Sequence, residues 1–129
     1  MRSILVVSPE SYPSELAKEH TFLGPELPVL ADAFDRVVVV PQQLEGARAS
    51  LPRGVALDET LAHEVRGLTS LQLALHAART SLVAEDIARR RQLVANPVAM
   101  KRLIAFAGRA HHARQWAERW LRGVDPRTR

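Results

Sequence analysis

Four consecutive valines, residues 37–40, stopped by Pro41, place the tightest limit on what this chain can fold into. A strand with one wet face alternates apolar and polar residues. A strand covered on both faces has no need to, and parallel sheets are where such strands occur. A second unbroken apolar run, Ile4, Leu5, Val6 and Val7, lies upstream. Between the two, Phe22, Leu23, Leu27, Leu30, Ala31 and Phe34 fall at helical spacing, and Asp35 and Arg36 make a charged turn into the valines. Neighbouring parallel strands need a crossover, usually a helix. The pattern therefore predicts a strand–helix–strand (βαβ) unit.

Three residues complicate the crossover helix. Gly24, Pro25 and Pro28 interrupt it, and proline is at home only in a helix's first turn, where its missing N–H has no partner to lose. The sequence thus predicts either a regular helix over about 25–34 or a longer one from about Ser14, kinked near Gly24. The loop before it, residues 10–14, is polar, carries Pro13, and is placed at the carboxyl edge of the sheet, where open α/β sheets bind ligands. After Pro41 comes a polar connection over 42–53. Leu51, Pro52, Arg53 and Gly54 then make a turn into a short third strand at Val55, Ala56 and Leu57, and Asp58 is placed to cap the next helix.

From about Thr60 the chain reads as helical. Leu68, Leu71, Leu75, Ala78 and Leu82 recur at spacings of three and four and predict one apolar helix face. Arg89, Arg90 and Arg91 close that segment. Asn96 as cap and Pro97 at the first helical position predict a new helix to about Leu121, with Leu103, Phe106, Ala110, Ala113, Ala117 and Trp120 on its apolar stripe and Gly123, Asp125 and Pro126 ending it. The fold class is α/β: a small three-stranded parallel, Rossmann-like βαβ unit over 1–58, followed by a long basic helical extension over 59–129.

Charge is divided along the chain as well. Residues 1–78 hold six Lys/Arg and ten Asp/Glu, whereas residues 79–129 hold twelve and four. The basic half can meet nucleic acid, an anionic membrane surface or an acidic partner. The chain contains no cysteine, which removes disulfides, thiolate metal sites and thiol nucleophiles. No apolar run approaches the roughly 20 residues of a membrane span, and Met1, Arg2 and Ser3 open no signal-peptide pattern. The expected location is cytoplasmic, with peripheral membrane contact as an addition.

The residues of the first half resemble a known family. Ile4–Val7, then Pro13 and Ser14, then Glu19, His20, Thr21, Phe22 and Leu23, then Glu26 and Leu27, Leu30 and Ala31, and the valines closed by Pro41 resemble the opening of bacterial GT-B glycosyltransferases of the family 4 type. Members begin with a strand, a loop holding a Pro-Ser-like pair, a helix of the form Glu-Thr-Phe-Ile-x-x-Glu-Ile-x-x-Leu, and a valine-rich strand ending near Pro. Here His20 is inserted before Thr21, and Pro25 and Pro28 replace good helix formers. The segment 51–57 and the basic helical stretch after it are also similar. The resemblance implies the acceptor side of a sugar-nucleotide-dependent transferase making polysaccharide or glycolipid. Its partners would be a sugar acceptor and a missing C-terminal donor-binding domain. The family's pair of glutamates eight positions apart is absent from these 129 residues, so the chain alone is not expected to transfer sugar.

Two sets of candidate residues emerge. If the loop at the carboxyl edge faces an acceptor cleft, then Ser8, Glu10, Ser14, Glu19 and His20 supply hydrogen-bonding groups. A plain solvated helix start, with Glu19 favoured by the helix dipole, is the stronger reading of the same residues. Lys101, Arg102, Arg109, Trp116, Arg119 and Trp120 could contact a membrane interface or a partner; packing of the Phe106–Trp120 stripe on the Leu68–Leu82 stripe, arginines in solvent, is favoured. Nucleic acid is disfavoured because no recognised binding motif accompanies the charge. No cofactor is expected, since neither a G-x-G-x-x-G nor a P-loop pattern occurs. No metal site is expected either: His111 and His112 point about 100° apart on a helix, and His63 and His76 are distant in sequence. A stand-alone, non-catalytic binding or oligomerising protein is the alternative function, because a three-stranded parallel sheet leaves edges that favour a homo-oligomer.

Overall fold

The computed structural model describes residues 3–124. Three strands, β1 (Ile4–Val7), β2 (Arg36–Val39) and β3 (Val55–Leu57), form one sheet in the order β1-β2-β3. Every pairing is parallel, with Ile4 opposite Arg36 through Val7 opposite Val39, and Val37 opposite Val55 through Val39 opposite Leu57. The βαβ expectation holds at the level of a mixed α/β fold with a parallel sheet. Val37, Val38, Val39 and Val40 are all buried, which is why the run could dispense with alternation. On one face of the sheet Leu23 and Leu27 of helix α1 (His20–Ala33) join Tyr12, Ala17, Val37 and Val39 in the core, with Leu5, Val7, Leu51, Val55 and Leu57 packed around them.

The crossover helix matches neither predicted form. It starts at His20 and carries Pro25 and Pro28 in its interior. Residues 14–18 do not extend it, because their backbone is bonded elsewhere: Glu15 N–H donates to the carbonyl of Ala47 at 2.9 Å and Ala17 N–H to that of Ser14 at 3.0 Å. Both prolines sit on the exposed side, so the carbonyls they leave unbonded can face water. The β1 end is pinned by Asp35, whose carboxylate accepts from the Ser3 N–H at 2.6 Å and its hydroxyl at 3.2 Å.

Asp58 behaves as predicted, accepting from the N–H of Thr60 at 3.0 Å and its hydroxyl at the head of α2 (Thr60–Arg66). The single helix expected across Leu68–Leu82 is instead two, α3 (Ser70–Ala78) and α4 (Leu82–Arg89), followed by a 3-10 turn over Arg91–Ala95. A capping box at the head of α3 separates it from α2. Thr69 Oγ1 accepts from Gln72 N–H at 3.2 Å, and Gln72 Oε1 accepts from Thr69 N–H at 2.9 Å, fixing a helix start where a through-running helix would need an interior. The last helix, α5 (Pro97–Gly123), begins as expected, with Asn96 Oδ1 accepting from Ala99 N–H at 3.1 Å. Asp125 and Pro126, expected to end it, lie outside the described residues.

The chain divides into two compact units: one holding residues up to Arg66 together with the chain from Arg122, the other Gly67–Leu121. In the second unit the predicted apolar stripes are corrected. Leu71 is 70% exposed, Leu75 55% and Phe106 65%. The buried positions are the small ones, Ala77 on α3 and Ala107 and Gly108 on α5, with His112 and Trp116 one and two turns on. Gly108 is the point of closest approach: a methyl group there would lie 2.3 Å from the carbonyl oxygen of Leu73. Backbones this close leave no room for leucine or phenylalanine between them, so those side chains point outward. Among the described residues no helix is long and apolar enough to cross a membrane.

Candidate functional site

The loop after β1 folds back along the loop after β2. Gln42 N–H donates to Pro9 at 3.0 Å, Gln43 N–H to Glu10 at 2.8 Å, and Ala49 N–H to Pro13 at 2.8 Å, while Ser14 and Arg48 form an isolated antiparallel bridge. Ser11, Tyr12, Pro13 and Ser14 are buried, contrary to the expectation of a solvated polar edge. A buried backbone must have its polar groups bonded, and the candidate residues are what bond it.

Ser8 Oγ donates to the carbonyl of Val40 at 3.0 Å. Ser14 Oγ accepts from Leu16 N–H at 3.2 Å. Glu19 Oε1 accepts from Ser11 N–H at 3.0 Å. His20 Nε2 lies 2.6 Å from the carbonyl of Ser14, and because a carbonyl only accepts, Nε2 carries the proton; the ring also meets Tyr12 edge-on with centroids 4.8 Å apart. Burial pushes the Glu19 carboxyl up, but the amides of Ser11 and its neighbours outweigh that and hold it below its ordinary value. Burial pushes the Tyr12 hydroxyl up. Ser14, Glu19 and His20 are therefore brought together, yet as the frame of the loop. Glu10 alone of the five leaves its carboxylate in solvent without a hydrogen-bond partner among the described residues. The void beside them, lined by Ser11, Pro13, Ser14, Pro41, Arg48 and Glu59, is about 10 Å³, enough for one water. Arg48 and Glu59 close it as an ion pair.

The second unit is arranged differently. Lys101, Arg102, Arg109 and Arg119 are exposed on α5 as expected. Trp116 is 7% exposed and stacks on Trp120 at 6.1 Å, so it is a packing residue rather than a surface contact. The histidines hold what the sequence hid: the His76 ring on α3 sits 5.4 Å from that of His111 and 5.2 Å from that of His112 on α5. Burial lowers the His76 pKa, and the cationic forms of His112 and His111 and the Arg79 guanidinium lower it further. Among the described residues no group of three or more His, Asp or Glu is placed to hold a metal ion.

Next to this cluster opens a polar cleft of about 440 Å³, lined by Arg79, Thr80, Ser81, His111, Arg114, Gln115 and Glu118. Sequence spacing could not join Arg79 to Arg114, which are 35 positions apart; the one readable signal was the Thr80-Ser81 pair ahead of Leu82, which marks a helix break. Searches against protein families, curated proteins and solved structures return no match to this chain.

Proposed function

We propose that this chain is the acceptor-side portion of a GT-B-type, sugar-nucleotide-dependent glycosyltransferase acting in polysaccharide or glycolipid synthesis, and that it is inactive alone. The observation that supports the reading is the parallel register of β1 on β2 across α1, because most of the residues carrying the resemblance build those three elements. The continuing order β1-β2-β3 suits one half of a Rossmann-like sheet, whose ligands meet the carboxyl edge. In this reading Ser14, Glu19 and His20 shape the edge, and exposed Glu10 is the side chain left to meet a hydroxyl-rich acceptor.

The test is the intact mass of the product that the source cell makes from its own gene, together with assay of that product with labelled nucleotide sugars. The reading expects a mass several-fold above 14.3 kDa and sugar transfer. A product of 14.3 kDa without transfer contradicts it. Exposure of Leu71, Leu75 and Phe106 favours a second reading, a non-catalytic protein that self-associates through its helical unit. Light scattering that finds only monomer at high concentration would exclude it.

A further inference from the structure

The cleft of the second unit has the chemistry of an anion site. It is formed where α3 ends at Arg79, where Thr80 and Ser81 lead into α4, and where the middle of α5 presents His111 and Arg114. Among the described residues Arg79 has no carboxylate partner. Arg114 gives only its Nε to Glu118, at 3.1 Å, in a pair exposed at both ends, so its two Nη groups remain to be bonded. His111 lines the cleft, but its Nε2 is shielded from solvent and its ring lies against that of His76 at 5.4 Å, so the arginines and Thr80 are the groups open to a ligand. The Thr80 hydroxyl offers its proton, its oxygen accepting only a long contact from Leu82 N–H at 3.4 Å. The segment Gly67–Leu121 around the cleft carries nine Lys/Arg against three Asp/Glu.

We propose that this cleft binds a phosphate monoester. Two guanidinium forks lining one cleft match a tetrahedral dianion better than a single carboxylate, since each guanidinium can bond two oxygens at once. A volume of about 440 Å³ exceeds what a bare phosphate fills and lies within the range of small-molecule sites, which leaves room for the organic part of the ester. Glu118 also lines the cleft, where its carboxylate pairs with Arg114 Nε, so the two arginines must outweigh one negative charge. The ester could belong to a soluble molecule or to a lipid headgroup. The proposal stands independently of the sugar-transfer reading, since none of its residues carries that resemblance.

The experiment is calorimetric titration of the intact chain with glycerol 3-phosphate, glycerol serving as the neutral control. A parallel arm measures flotation with phosphatidylcholine vesicles containing phosphatidic acid or, at matched surface charge, phosphatidylserine. Expected is saturable binding of the ester but not of glycerol, weakened at least tenfold by Arg79→Ala and by Arg114→Ala and less than twofold by Arg90→Ala, which removes the same charge outside the cleft. Circular dichroism checks that each variant keeps its helices. Binding to phosphatidic acid vesicles alone, with the same dependence on Arg79 and Arg114, assigns the ester to a lipid. The proposal is overturned if neither probe binds, if phosphatidylserine binds as well as phosphatidic acid, or if Arg90→Ala costs as much as the cleft variants.

Discussion

The two units use their polar side chains in opposite ways. In the first, Ser8, Ser14, Glu19 and His20 are bonded to the backbone of a buried loop, and the space left beside them is no larger than one water. In the second, Arg79 and Arg114 line an open cleft and keep hydrogen-bonding capacity in reserve. A polar residue near a sheet's carboxyl edge is thus no guide to binding until its partners are known. The same residue types serve a fold where the backbone needs them and a ligand where it does not.

Substitutions can break or sharpen that contrast. The largest effect is expected in the core of the first unit: Leu27→Ala, at a fully buried position, should destabilise the sheet by about 2–5 kcal/mol in denaturant unfolding. The counterpart in the second unit is Gly108→Ala. Its added methyl meets the Leu73 backbone, which cannot yield as a side chain would, and the expected cost is about 1–3 kcal/mol. Ser14→Ala removes the acceptor for Leu16 N–H and should cost about 1–3 kcal/mol with no change in glycerol 3-phosphate affinity. Arg114→Ala should do the reverse, lowering affinity while stability changes by less than about 0.5 kcal/mol. If Ser14→Ala proved neutral for stability, the structural role assigned to the loop's polar groups would fall.

Acidification should separate the units in order. His76 is disfavoured as a cation in the folded state, so the unfolded chain binds the proton more readily. The stability that neutral His76 contributes is complete above its ordinary value of 6.5 and is lost as the pH falls below it. Glu19 is favoured as a carboxylate. Its contribution is complete above 4.5 and disappears only at lower pH. Amide hydrogen exchange monitored from pH 7.5 to 4 should show α3 losing protection first and the loop at 11–20 later. Loss in the opposite order would contradict both assignments.

Much of the first unit was legible in the sequence. The valine run, the apolar run at 4–7 and the turn before Val55 each carry their own signal, and they correspond to β2, β1 and β3. Asn96 and Pro97 likewise announced α5. The loop was misread because Ser, Tyr and Pro look solvated by composition, whereas backbone bonds to a loop over 30 positions away bury them. The helical unit was misread because hydrophobicity places Leu71, Leu75 and Phe106 inside, while close backbone approach at Gly108 selects alanine and glycine instead. The Thr69–Gln72 capping box was present in the letters and would have separated α2 from α3 in the stretch read as helical from Thr60. The meeting of His76 with His111 and His112, and of Arg79 with Arg114, depends on how α3 turns back onto α5, and no local pattern encodes that.

The contrast between the units is tested most directly by backbone amide chemical-shift mapping of the intact chain during titration with glycerol 3-phosphate. The account predicts saturable shifts at residues 79–81 and 111–118 and none at residues 8–20. Shifts centred on 8–20, or spread evenly over the basic positions of α4 and α5, would contradict it.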